Sequence, residues 1–180
     1  MLSIIIPDSE VFIEETGEFI KIKEQTLQLE HSLISLSKWE SKWHKPFLVK
    51  GEKTSEELID YVRCMTLTPN IDPIIYNFLT NENVREINKY IDDPMTATTF
   101  SEDPTAKCNR EIITSELIYY WMTSLNIPVE FQIWHLNRLL TLIRVCNVKN
   151  QPPKKMSKKE IMRRNAALNA ARRKQLNSKG

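Results

Sequence analysis

Glycine is nearly missing from this chain of 180 residues, with Gly17, Gly51 and Gly180 as its whole complement. Phosphate-cradling loops need several glycines close together, so a P-loop or a dinucleotide-binding turn is excluded. Cysteine is equally scarce. Cys64, Cys108 and Cys146 are far apart, odd in number and without CxxC spacing, which argues against a disulfide framework or a zinc site and suits a reducing compartment. His31, His44 and His135 are the only histidines, and none has another His, Cys or Asp three or four residues away, as a helical metal-ligand pair requires. The acid pairs Glu14-Glu15, Glu56-Glu57 and Asp92-Asp93 fall at a turn, a helix start and a helix end. Adjacent acids do not face each other on a helix, so these are solvated caps rather than a catalytic dyad. No GxSxG elbow surrounds any serine. The chain therefore reads as a non-enzyme with no cofactor, no metal and no catalytic residue.

Long apolar runs are also lacking. The stretches at 112–121 and 133–145 are interrupted by Thr114, Ser115, Glu116, Asn137, Arg138 and Arg144, so no membrane span and no membrane partner are expected. The apolar start at 1–6 is halted by Pro7, Asp8 and Glu10 and carries no basic residue ahead of it, which is not the pattern of a signal peptide.

What the sequence does have is a divided charge. Residues 149–180 hold eleven of the 25 basic residues and one of the 23 acidic ones, Glu160. That segment is at +10 and the preceding 148 residues are at −8, beneath a bland total of +2. A basic arm on an acidic body is suited to touching nucleic acid, an acidic partner or a neighbouring copy of the chain. The length supports one domain with a full core plus an appendage. We place the body at 1–150 and the arm at 151–180.

The periodicity predicts a mainly α (α+β) fold. Over the first thirty residues apolar and polar side chains alternate, as in Phe19 to Lys23 and Thr26 to Glu30, with a turn at 14–18, so a small antiparallel hairpin or sheet opens the chain. Helical spacing then takes over. Leu33, Leu36, Trp39 or Glu40, and Trp43 share one side of a first helix that Pro46 stops. Thr54 with Glu57 forms a capping box for a second helix, and Asp72-Pro73 starts a short third one through Phe78. Val84, Ile87 and Ile91 mark another helix, 95–106 is a long loop, and Ile113 to Leu125 is helical again. Val129, Ile133, Leu136, Leu140 and Ile143, widened by Leu139, Leu142 and Cys146, predict the central core helix of a helical bundle. Beyond Pro152-Pro153, Ser157 and Glu160 form a capping box before the alanine-rich 166–171, so 157–176 is predicted to be a single basic helix, mobile until it meets a partner.

Aromatic residues offer two readings. Trp39 and Trp43 form one ridge, and Tyr119, Tyr120 and Trp121 are consecutive, so at least one of these three must face away from the helix's buried side. Core packing is one account; the other is a protein-binding face with Trp39, Trp43, Tyr120, Trp121 and Trp134 as anchors. In the arm, Arg163, Arg164, Arg172 and Arg173 are candidate electrostatic contacts. It has no aromatic residue on which bases could stack.

Two stretches carry a family resemblance. The run MSKKEIMRRNAALNAARR at 156–173, closing on Lys179-Gly180, resembles the ending of tail assembly chaperones of long-tailed bacteriophages, and LSKWESKWHKPFL at 36–48 is similar to small phage tail-cluster proteins. The resemblance implies a non-enzymatic protein of the host bacterial cytoplasm that binds the helical tape-measure protein until tail-tube subunits arrive, in some cases with a frameshift-extended form. A virion structural protein, such as a head-tail connector or minor tail component, and a nucleic-acid-binding accessory protein are the alternatives.

Overall fold

The computed structural model describes residues 1–13, 18–49, 51–100, 111–150 and 157–177. Residues 14–17 of the predicted turn at 14–18 and residues 101–106 of the predicted loop at 95–106 lie outside these residues. The fold is mainly helical with a small antiparallel sheet region at the N-terminus. Two compact units divide at Val148/Lys149, close to the boundary read from charge.

Four strands make the N-terminal ribbon: β1 (Leu2–Ile6), β2 (Ser9–Ile13), β3 (Glu18–Ile22) and β4 (Gln25–Leu29). β1 pairs with β4 and β2 with β3, both antiparallel. The two pairs share one register, since Ser9 lies opposite Ile22 just as Ile6 lies opposite Gln25. Proline at position 7 has no N–H to donate, which interrupts the ladder without inserting a residue, and the Asp8 carboxylate accepts from the Glu24 N–H at the break. Ile4, Ile6, Leu27 and Leu29 are buried on one face of β1/β4. Ile22 is buried too, yet its place in the register belongs to the other face. Strand side chains alternate with period two, so the ribbon turns over at Pro7-Asp8 and Lys23-Glu24. The free side of β4 is covered by the chain after the second helix, with Glu30 N–H donating to Met65 O (2.9 Å) and Leu67 N–H to Gln28 O (2.8 Å).

Helix α1 (Leu33–Trp43) starts at Ser32, whose side chain accepts from the Ser35 N–H, and ends with His44 in the left-handed region at φ 53°. A glycine commonly fills such a position; in this glycine-poor chain His44, Asn126 and Asn177 do so. Helix α2 (Ser55–Met65) has the capping box predicted from Thr54 and Glu57. The Asp72-Pro73 start gives a 3-10 helix at Pro73–Phe78. Helix α3 (Asn81–Asp92) is capped reciprocally by Thr80 and Asn83, and Asn83 also donates to Ile5 O at the β1 edge (3.2 Å). Helix α4 (Ser115–Ser124) follows, then a 3-10 helix at Val129–Ile133, α5 (Leu136–Asn150) and α6 (Lys158–Leu176).

Two apolar clusters fill the body. The first joins the ribbon to α2, the 3-10 helix at Pro73–Phe78, α3 and Trp39 of α1. The second joins Leu33 and Leu36 of α1 to Ile118 and Met122 of α4 and Leu136, Leu139 and Ile143 of α5. Helix α1 thus stands between the two, and it is the central helix.

That corrects the expectation for 129–146. The pattern there is not one core helix: Trp134 is extended, His135 bridges to Ser32, and the Leu136 N–H donates to His31 O (2.7 Å). Val129 and Ile133 are exposed. Apolar spacing continues in helical phase through the break, so periodicity could not reveal it; a backbone pairing with a segment a hundred residues earlier imposes it.

Because α1 feeds both clusters, Leu36→Ala should cost about 2–5 kcal/mol, the range for buried Leu truncations. Urea unfolding followed by near-UV circular dichroism measures this, and a loss under 1 kcal/mol would contradict the shared-helix account.

Candidate interaction surfaces and the buried polar network

Trp39 and Trp43 were candidate partner anchors, and the structure turns both towards α2. Trp39 is 1% exposed. Its indole N–H donates to Glu57 O (2.8 Å), and its ring meets Phe47 edge-on at 5.0 Å between centroids. Trp43 is half-buried, stacked on Trp39 and bonded through its indole N–H to Asp60 Oδ2 (2.9 Å). Lys42 pairs with Asp60 and Lys45 with Glu57, each at 2.5 Å. Burial pushes the Asp60 carboxyl up, but the Lys42 and Trp43 hydrogen bonds outweigh it and hold the group below its ordinary range. Glu57 is also held low, first by Lys45 and then by the Thr54 N–H. The tryptophan ridge is thus a core seam between α1 and α2. Trp39 has no surface to offer a partner.

The α4–α5 side of the body is different. Of the three consecutive aromatics on α4, Tyr119 and Trp121 are half-buried and Tyr120 is 65% exposed. Steps of about 100° per residue require such an outcome. The Tyr119 hydroxyl donates to Gln132 Oε1 (2.9 Å), tying α4 to the 3-10 helix at Val129–Ile133. Trp134 is half-buried, stacked on Phe131 at 4.1 Å, with the Arg138 guanidinium 4.2 Å from its ring centroid. Sequence reasoning missed Arg138, although its spacing of four from Trp134 was the available signal. Tyr120 is the one aromatic anchor candidate that stands well exposed, with Trp121 and Trp134 partly so.

Arg163, Arg164, Arg172 and Arg173 all lie exposed on α6. The helix has the predicted capping box: Ser157 Oγ accepts from the Glu160 N–H (3.2 Å), and Glu160 Oε2 accepts from the Ser157 N–H (2.8 Å). No residue of α6 is buried, and Ile161, Met162, Leu168 and Leu176 stand in solvent among the bases. Asn165 and Asn169, four residues apart between the two arginine pairs, were not singled out from the sequence.

Between the two apolar clusters lies a set of buried polar groups. His31 and His135 sit edge to face at 5.1 Å. His31 Nδ1 is hydrogen-bonded to the Tyr61 hydroxyl (2.6 Å), and His135 Nε2 to Tyr90 O (3.0 Å). The Tyr90 hydroxyl donates to Glu30 Oε1 (2.7 Å). These bonds let both imidazoles be buried neutral. Burial, and then the proximity of His135, pull the His31 pKa down to about 3; burial lowers that of His135 as well, against the opposing pull of the Tyr90 carbonyl.

Among the described residues, no cluster of three or more His, Cys, Asp or Glu could hold a metal ion, and no helix is long and apolar enough to cross a membrane. Compared with protein-family models, curated proteins and solved structures, the chain matches none.

The histidine pair fixes the sign of the acid response. A group whose folded pKa lies below its unfolded value of 6.5 adds no penalty above that pH. As pH falls below 6.5 the unfolded chain takes up the proton first, and stability drops by about 1.4 kcal/mol per pH unit for one such histidine. Urea midpoints should therefore fall between pH 6.5 and 4.5, before the carboxylates titrate, and fall less steeply in His31→Asn. A flat profile across that window would contradict the buried neutral pair.

Proposed function

We propose that this chain is a non-enzymatic tail assembly chaperone of a long-tailed bacteriophage, acting in the host cytoplasm, which binds the tape-measure protein and keeps it soluble until tail-tube subunits arrive. The observation that carries the reading is helix α6. It is capped, basic and exposed along its whole length, with four larger apolar side chains in water. A helix of this length gains little stability in isolation, so contact with a partner is what would firm it up.

The resemblance at 156–173 and 36–48 supplies the identity of the client, and the geometry redistributes the work among the candidate residues. The second resembling stretch includes Trp39 and Trp43, which serve the α1–α2 seam, so it accounts for folding of the body rather than for grip. Contact with the client falls to Tyr120, Trp121 and Trp134 on the body and to Arg163, Arg164, Arg172 and Arg173 on the arm. Exposed aromatics supply apolar area with a polar tip, the pattern of interface anchors. The arginines add charge-assisted contacts to a helical client and keep the complex soluble through its net charge.

Co-expression tests this directly. The full chain should keep the phage's tape-measure protein in the soluble fraction, and a version truncated after Gln151 should retain much less of it. Replacing the four arginines with glutamate should have the effect of the truncation. Equal client recovery with no chaperone, full chain and truncated chain would refute the assignment.

A further inference from the structure

The arm has a second property: its cations surround the helix instead of lining one side. Seven bases occur in α6, namely Lys158, Lys159, Arg163, Arg164, Arg172, Arg173 and Lys174, and its single acid, Glu160, serves the cap. At about 100° per residue their directions leave no sector wider than roughly 80° without a base.

We propose that α6 is a duplex-DNA-binding helix that lies in the major groove, its arginines and lysines on the phosphates and Asn165 and Asn169 towards the base edges. The major groove is about 12 Å wide and is walled on both sides by phosphates. At about 100° per residue, Arg163 and Arg173 flank the Asn165–Asn169 face on one side and Arg164 and Arg172 on the other, so the arginines reach both walls. Asparagine can bond both N6 and N7 of adenine. Asn165 and Asn169, four apart, share a face.

Other nucleic acids fit less well. The major groove of duplex RNA is too deep and narrow for side chains to read. Single strands are held by aromatic stacking, and the arm has no aromatic residue. The net negative charge of residues 1–148 repels phosphate and confines contact to the arm.

The test is fluorescence anisotropy of the full chain with labelled short duplexes, one rich in A·T and one in G·C, beside duplex RNA, a single strand and polyglutamate. Duplex DNA should bind best. With four phosphates contacted, affinity should fall about twelvefold for each doubling of salt. Changing the four arginines to glutamine should weaken binding at least about a hundredfold on the same basis, whereas changing them to lysine should keep most of it. Asn165→Ala with Asn169→Ala should leave the salt dependence intact and erase the preference between duplexes. No binding at micromolar protein in low salt overturns the proposal. So does binding of polyglutamate, RNA or the single strand as tight as that of duplex DNA. Neither result bears on client solubility in co-expression, so the two readings fail separately.

Discussion

A buried carboxylate holds the body together at the point where its halves meet. Glu40, near the end of α1, is almost fully enclosed, with Oε1 accepting from the Phe47 N–H (2.9 Å) and Oε2 from the Ser115 N–H (2.7 Å). The first bond folds the chain back after α1, and the second anchors the first turn of α4, where a negative charge also complements the helix dipole. A buried ion is costly unless its oxygens are occupied, so both segments are committed to this one side chain. With α1 fixed in this way, Leu33 and Leu36 pack into one apolar cluster and Trp39 into the other. The order of the elements around α1 follows from these commitments.

The same helix explains why residues that look like anchors are spent inside. The indoles of Trp39 and Trp43 are both donors to α2, and Lys42 and Lys45 neutralise the acids beside them. What remains for a partner is chemically of two kinds. The body offers aromatic rings with polar ends around Tyr120, Trp121 and Trp134, on a surface of net negative charge. The arm offers a helix whose cations have no preferred side. Apolar burial on the body is insensitive to salt, whereas phosphate or carboxylate contacts at the arm weaken as salt rises.

Much of this was legible in the sequence because local rules govern it. Thr54 with Glu57 and Ser157 with Glu160 announced two helix starts through capping boxes, and Asp72-Pro73 announced a third. Alternation over the first thirty residues announced the ribbon, to which the apolar start contributes β1. The crowding of Tyr119, Tyr120 and Trp121 required one to face outward, and it is Tyr120. The core helix expected at 129–146 failed for a non-local reason, since the pairing of His135 with Ser32 breaks a run whose apolar spacing stays in phase.

The sequence by itself therefore determined most of the element types, the capping boxes at Thr54 and Ser157 and the two-part charge, and the elements and caps depend on neighbours within a turn or two of the chain. Only the tertiary structure decided which apolar faces are used up. Spacing places Trp39, Trp43 and Trp134 on helical or extended segments alike, but whether a ring is spent or exposed depends on what arrives from distant residues. For Trp39 it is Glu57 O, for Trp43 it is Asp60, and for the histidines it is Tyr61 and Tyr90. Those partners are brought together by burial of the whole core, a cooperative outcome that no short window of sequence contains.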